Sequence, residues 1–243
     1  MSHGVASRRS FHPLLFVAAG FVLLADLPTR AIADERGPTV VELFTSQGCS
    51  SCPPANANLA ILSARPDILA LSFGVTYWDR LGWKDTFARP DYTARQEAYE
   101  APLGEAGPFT PQIVIDGRKS LVGNDLSELE RHVAALRGAG GASAPSIALG
   151  NGVAQIGAGA APRDDADVWL VRYDPRRVEV PVQRGENAGR TLPHKNVVHD
   201  LLLLGRWTGR PMTAAIPPAR EGLRSAVLVQ AHGGGPIFAA ATD

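Results

Sequence analysis

The sequence predicts an α/β domain with a mixed central sheet flanked by helices, followed by an antiparallel β-rich, sandwich-like C-terminal domain. Three observations carry this expectation. Up to about residue 137, apolar β-branched runs alternate with helical patterns. A small, glycine-rich stretch (GAGGASAP, residues 138–145) then interrupts the chain. Beyond it, short alternating runs are separated by Gly, Pro and Asn clusters, the signature of antiparallel strands.

Each element follows in order. Residues 39–45 (TVVELFT) read as a buried strand. Cys49-Ser50-Ser51-Cys52 comes next, then Pro53-Pro54 and a helical pattern through Leu59 and Leu62 to about Ala64. Residues 68–77 form a second buried strand, 78–90 an aromatic-rich loop and 91–101 an exposed helix. Residues 111–115 are a third strand, Asp116-Gly117 a hairpin turn, and Leu121-Val122 a short fourth strand. Asn124 or Asp125 caps a last helix, with Glu128 completing a capping box after Asp125. Leu126, Leu129, Val133 and Leu136 give that helix one apolar face. The order β–α–β–(α)–β–β–α is that of the thioredoxin pattern, with a helix inserted before the last hairpin. The expected division is therefore 38–138 for a thioredoxin-like domain, 139–145 for a linker and 146–243 for the β-rich domain. Strands of the latter are expected within 147–156, 168–173, 177–183, 197–207 and 226–231.

A chain of 243 residues is long enough for one large domain or two modest ones. Its formal net charge is zero, with no basic run in the mature part, so neither nucleic acid nor an anionic membrane surface is expected as partner. Residues 1–33 read as a signal peptide. Arg8 and Arg9 precede the apolar stretch 14–25, and Ala31-Ile32-Ala33 offers a small-x-small cleavage site. The run Ser7-Arg8-Arg9-Ser10-Phe11 fits a twin-arginine signal as well as a general secretory one. Either places the mature protein in the periplasm or outside the cell. The apolar stretch falls short of the roughly 20 residues that span a bilayer, so no stable membrane insertion is expected after signal removal.

Export gives the cysteines their meaning. The chain has two, three positions apart. A bridge across two intervening residues removes little chain entropy, so a lone close pair in an oxidising compartment points to chemistry. A strand would deliver Cys49 to the edge of the sheet, and the N-terminus of the following helix would favour its thiolate. Cys49 is then the nucleophile and Cys52 the resolving thiol. Such chemistry needs no dissociable cofactor, and its partner would be a protein or small thiol or disulfide of the cell envelope. Thr110-Pro111 opens the third strand. In thioredoxin-like proteins a cis proline stands there, facing the cysteines, and the residue before it can pair with a bound peptide.

VVELFTSQGCSSCPP, YWDRLGWKD, FTPQIVIDGR and RGENAGRTLPHKNVV together resemble the domain-of-unknown-function family 1223. That resemblance spans about residues 39–241. It implies a secreted protein with a thioredoxin-like N-terminal part, and no particular reaction. Gly48 stands where thioredoxin has a tryptophan, and Ser50-Ser51 replaces its Gly-Pro, so redox potential and partner choice do not carry over.

Further candidates have two readings each. Trp78 and Trp83, with Asp79, Lys84 and Asp85, could wall a substrate site or pack the inserted helix onto the sheet. Arg184, Glu186, Asn187, Arg190 and His194, with Lys195 and Asn196, could form a polar binding site facing the cysteines or a solvated hairpin loop. His194 has no second histidine or thiolate at ligand spacing, so no metal site is expected. His232-Gly233-Gly234-Gly235 reads as a glycine turn between the last two strands, since no G-x-S-x-G nucleophile elbow accompanies it. A different class of function stays open: a binding module in which the Cys49–Cys52 bridge is permanent. A metallochaperone is disfavoured, because Met212 is the one methionine after the signal.

Overall fold

The computed structural model describes residues 1–4, 37–137, 143–160 and 162–243. The expected signal peptide (beyond its first four residues), residue 138 and residues 139–142 of the expected linker lie outside these. The described residues from 37 onward belong to one compact unit, which holds everything below.

The architecture is a mixed sheet with few helices and a large antiparallel portion. β1 (Thr39–Thr45) and β2 (Ile68–Gly74) are buried along their whole length and pair in parallel. Burial on both faces suits their β-branched, near-continuous apolar sequences. α1 (Pro53–Leu62) makes the crossover, with Pro53 and Pro54 at its first turn, where an N–H has no helical partner. β3 (Gln112–Ile115) runs antiparallel to β1, and β4 (Lys119–Leu121) to β3. α4 (Leu126–Leu136) is capped by Asp125, whose carboxylate accepts the Glu128 amide at 3.1 Å. Ala55, Leu59 and Leu62 of α1 and Leu129 and Val133 of α4 share one core with Val41, Leu43, Ile113 and Ile115. Each of the Leu, Ile and Val side chains contributes roughly 1.5–3 kcal/mol on full burial.

The opposite face carries α2 (Pro90–Glu97) and α3 (Glu100–Leu103). The expectation of one exposed helix at 91–101 is corrected here. There are two short helices, and Tyr92, Arg95, Gln96 and Tyr99 are buried. Arg95 donates to Glu42 of β1 at 2.6 Å, and the Tyr99 hydroxyl donates to the same carboxylate. Burial disfavours the guanidinium charge of Arg95, but the carboxylate beside it more than offsets this and holds the group above its ordinary range.

Beyond 143, β5 (Ile147–Gly150), β6 (Val153–Ile156) and β9 (Met212–Ala215) form a small antiparallel sheet. β7 (Ala166–Pro181), β8 (Thr191–Trp207), β10 (Arg224–Ala231) and β11 (Ile237–Thr242) continue the main sheet, in the order β11-β10-β7-β8-β2-β1-β3-β4. β8 meets β2 in parallel at Val197 and Ser72. Asn196, in the left-handed region at φ 51°, donates its side-chain amide to Ala70 O at 2.8 Å across that seam. The small sheet packs on Val168, Leu170, Trp207, Val227 and Val229. Strands β7 and β8 form a long hairpin with register shifts near Val168, Arg172 and Asp174, and it projects past the sheet toward the cysteines. The expected long loop of RGENAGRTLPHKN is shorter: residues from Thr191 onward are strand.

Candidate functional site

The site is the turn between β1 and α1. Cys49 and Cys52 are bridged, with Cα atoms 5.5 Å apart, and both are 0% exposed. The Cys49 amide donates to Ser46 O and the Cys52 amide to Cys49 O, which closes the turn. Cys52 is the N-cap of α1, so Cys49 sits one turn before the helix rather than on it. Pro53 and Pro54 carry no N–H, and the Asn56 amide goes to Cys52 O. Thiolate support from the helix start is therefore thinner than the sequence suggests, since few free amides remain there. Ser51 Oγ lies 3.4 Å from Cys49 Sγ.

Thr110-Pro111 is a cis peptide bond. The β1–β3 register ends with Phe44 opposite Gln112, so Pro111 stands beside Thr45, at the start of the turn. Trp78 Nε1 donates to Thr110 Oγ1 at 2.7 Å, and its side chain packs beside Gly48. The loop that carries both tryptophans leaves β2 at Gly74 and returns there. The Arg89 amide donates to Gly74 O, and a side chain at 74 would collide with the backbone of Phe87 and Ala88.

Gln47 is the hub that sequence reasoning missed. Its amide donates to Asp85 Oδ2 at 2.7 Å, its Nε2 to Thr86 Oγ1 at 2.8 Å, and its Oε1 accepts from Trp83 Nε1 at 2.9 Å. Burial pushes the Asp85 carboxyl up, opposed by the Gln47 and Phe87 amides that donate to it. No spacing in the sequence links Gln47 to residues almost forty positions away. Trp83 and Asp85 were visible as part of the aromatic loop, but their partner was not.

From the other side comes the β7–β8 tip. Asn187, 0% exposed, gives one amide proton to Gln47 O at 3.0 Å and the other to Cys49 O at 2.8 Å. Arg190 Nη1 donates to Asn187 Oδ1 at 2.6 Å. Glu186 Oε2 accepts both the Ser50 amide, at 3.0 Å, and the Ser50 hydroxyl, at 2.7 Å. These two bonds lower the Glu186 carboxyl below its ordinary value. Arg184 is exposed at the same tip. Glu186, Asn187 and Arg190 thus converge on the cysteine turn with Trp78, Trp83, Thr110 and Pro111.

His194 stands farther down the stem, opposite Val178, with its ring edge-on to Phe87. It is buried, its Nε2 has no hydrogen-bond partner among the described residues, and burial pushes its pKa down to about 4. Among the described residues, no group of three His, Cys, Asp or Glu side chains is placed to hold a metal, and no helix is long and apolar enough to cross a membrane.

The fold and site define a mixed α/β protein with a buried CxxC disulfide clamped by a long hairpin. By family, the chain belongs to the group described as protein of unknown function DUF1223, whose model matches residues 40–230. It is similar to the Agrobacterium tumefaciens protein AGR_C_4864, known from a crystal structure, at 34% identity and a TM-score of 0.71, over 86% of this chain and 95% of that one. HBP35 of Porphyromonas gingivalis shares the fold at 13% identity and a TM-score of 0.55, over 87% of this chain and 76% of that one. No curated protein matches the chain.

Proposed function

We propose that this is an exported, periplasmic or secreted protein of thioredoxin-like architecture that performs thiol–disulfide exchange through Cys49 and Cys52. The observation that carries this is the placement of a bridged CxxC at the carboxyl end of β1, directly before the crossover helix α1 and beside Thr110-Pro111. The strand order β2-β1-β3-β4, with β1 and β2 parallel and β3 antiparallel, agrees with the thioredoxin pattern.

In exchange, a partner thiolate attacks Cys49 Sγ. A partner–Cys49 bond forms, the Cys49–Cys52 bond breaks, and Cys52 leaves as a thiolate. A second partner thiol, after losing its proton, attacks the partner sulfur of this mixed disulfide and releases Cys49 as a thiolate. The partner dithiol has then lost two electrons to the pair and become a disulfide. The reverse sequence reduces a partner disulfide. Thr110 and Pro111 would dock the partner's backbone, with Trp78 and Trp83 walling the groove. The partner would be a protein or small thiol or disulfide of the cell envelope.

Equilibration of the mature protein against a glutathione series, read by thiol alkylation, tests this. A reduction potential between about −120 and −270 mV is expected, the range of exchange catalysts, and Cys49→Ser should abolish exchange. A pair that stays oxidised across the series, or a Cys49→Ser variant with full exchange activity, sinks the proposal.

The complete burial of both cysteines favours a second reading, a binding module with a permanent bridge. A potential below about −300 mV would support it.

A further inference from the structure

The hairpin tip is a self-contained piece of structure. Gly189 donates to Val182 O, Val182 to Arg190 O, Ala188 to Gly185 O and Arg190 to Asn187 O. All residues from 183 to 190 are exposed except Asn187, which is buried because it plugs into the cysteine turn. The tip's polar contacts with that turn come from two side chains. Asn187 spends both amide protons on the carbonyls that flank Gly48, and Glu186 occupies both donors of Ser50. Neither contact needs the cysteines to be reduced, and one of them opposes it. The Ser50 amide directly follows Cys49 and is one of the few donors available to a Cys49 thiolate, since Pro53 and Pro54 have no N–H and the Cys52 amide is used within the turn. A carboxylate on that amide withdraws it from the sulfur and places a like charge nearby.

We propose that the β7–β8 tip is a redox-coupled lid: Glu186 and Asn187 dock on the oxidised cysteine turn, and the tip must lift before a partner thiolate reaches Cys49. The proposal rests on the exchange reading and adds its regulation. Because linkage is reciprocal, docking that favours the disulfide implies that reduction favours undocking by the same factor.

The test uses the mature chain, wild type and Glu186→Gln/Asn187→Ala. Dithiothreitol is the probe for the rate of bridge reduction, and the glutathione series gives the equilibrium. The double variant should be reduced faster, and its exchange equilibrium constant should shift by about 5–150-fold, the usual span of such couplings. Each tenfold change in the exchange equilibrium constant would move its potential upward by about 30 mV. Hydrogen exchange of residues 183–190 in the wild type needs no variant. Protection should be present in the oxidised protein and lost after reduction. Equal rates and potentials in both proteins, or tip protection that ignores redox state, overturn the lid. If the wild type equilibrates within the series while the variant merely matches it, the exchange reading survives and the lid does not. If neither is reduced, both fail. If only the variant is reduced, the lid stands and unassisted exchange fails.

Discussion

Two polar clusters hold this molecule together, and they are built differently. At the centre of the sheet, Glu42, Arg95, Tyr99 and Gln230 form a buried network around an ion pair. At the cysteine turn, the tip is held by one neutral amide and one exposed carboxylate. Removing one partner of the first leaves an unpaired charge in the core, whereas releasing the second returns its groups to water. The first joins α2, α3, β1 and β10 and has no inexpensive alternative arrangement; the second does.

The largest effect should therefore fall on the central network. Arg95→Ala is expected to lower unfolding free energy by about 3–5 kcal/mol in urea titrations, because Glu42 would be buried without its counter-charge. A loss below about 1 kcal/mol would erase the contrast.

His194 sharpens it from the stem of the hairpin. The folded imidazole stays neutral down to about pH 4, while that of the unfolded chain takes up its proton near 6.5. Between these values the unfolded state binds more protons. Stability should fall as pH drops from 6.5 to 4, by at most roughly 3 kcal/mol, and level off below. His194→Asn should flatten that part of the profile; an unchanged slope would assign it to other groups.

The smallest effect belongs at the cysteine turn. Trp83→Phe removes the donor to Gln47 Oε1, which the Thr86 amide also approaches at 3.3 Å. A loss of about 1 kcal/mol or less is expected by thermal unfolding. A loss as large as that of Arg95→Ala would mean the turn is as rigidly fastened as the core.

What the sequence revealed follows the same division. β1, α1, β2 and the Asp125 cap were legible because burial and capping act through near neighbours in the chain. The helix at 91–101 misled because two of its buried members, Arg95 and Gln96, are hydrophilic and owe their burial to partners in β1 and β3. β9 was missed, since MTAA is half alanine and lacks the β-branched alternation that marks a strand; β11 was expected only as the strand beyond the glycine turn at 232–235, without bounds of its own. The long hairpin read as separate short runs because Asp174-Pro175 interrupts β7 at a register shift. At the site, the cysteines and Thr110-Pro111 stood out by spacing and position. Gln47 did not, because its role depends on a tip 140 positions later.

The seam between β2 and β8 has a consequence for dissecting the protein. A chain cut after residue 137 would keep the cysteines, the two tryptophans and the cis proline, and would look like a minimal redox unit. It would also strip β8 from β2, leaving Ala70 O without Asn196 and a mostly apolar, otherwise buried strand as a bare edge. Such edges recruit other strands. The shortened chain would tend to self-associate through β2, so a failed truncation would report on an unprotected edge and not on the chemistry of the cysteines.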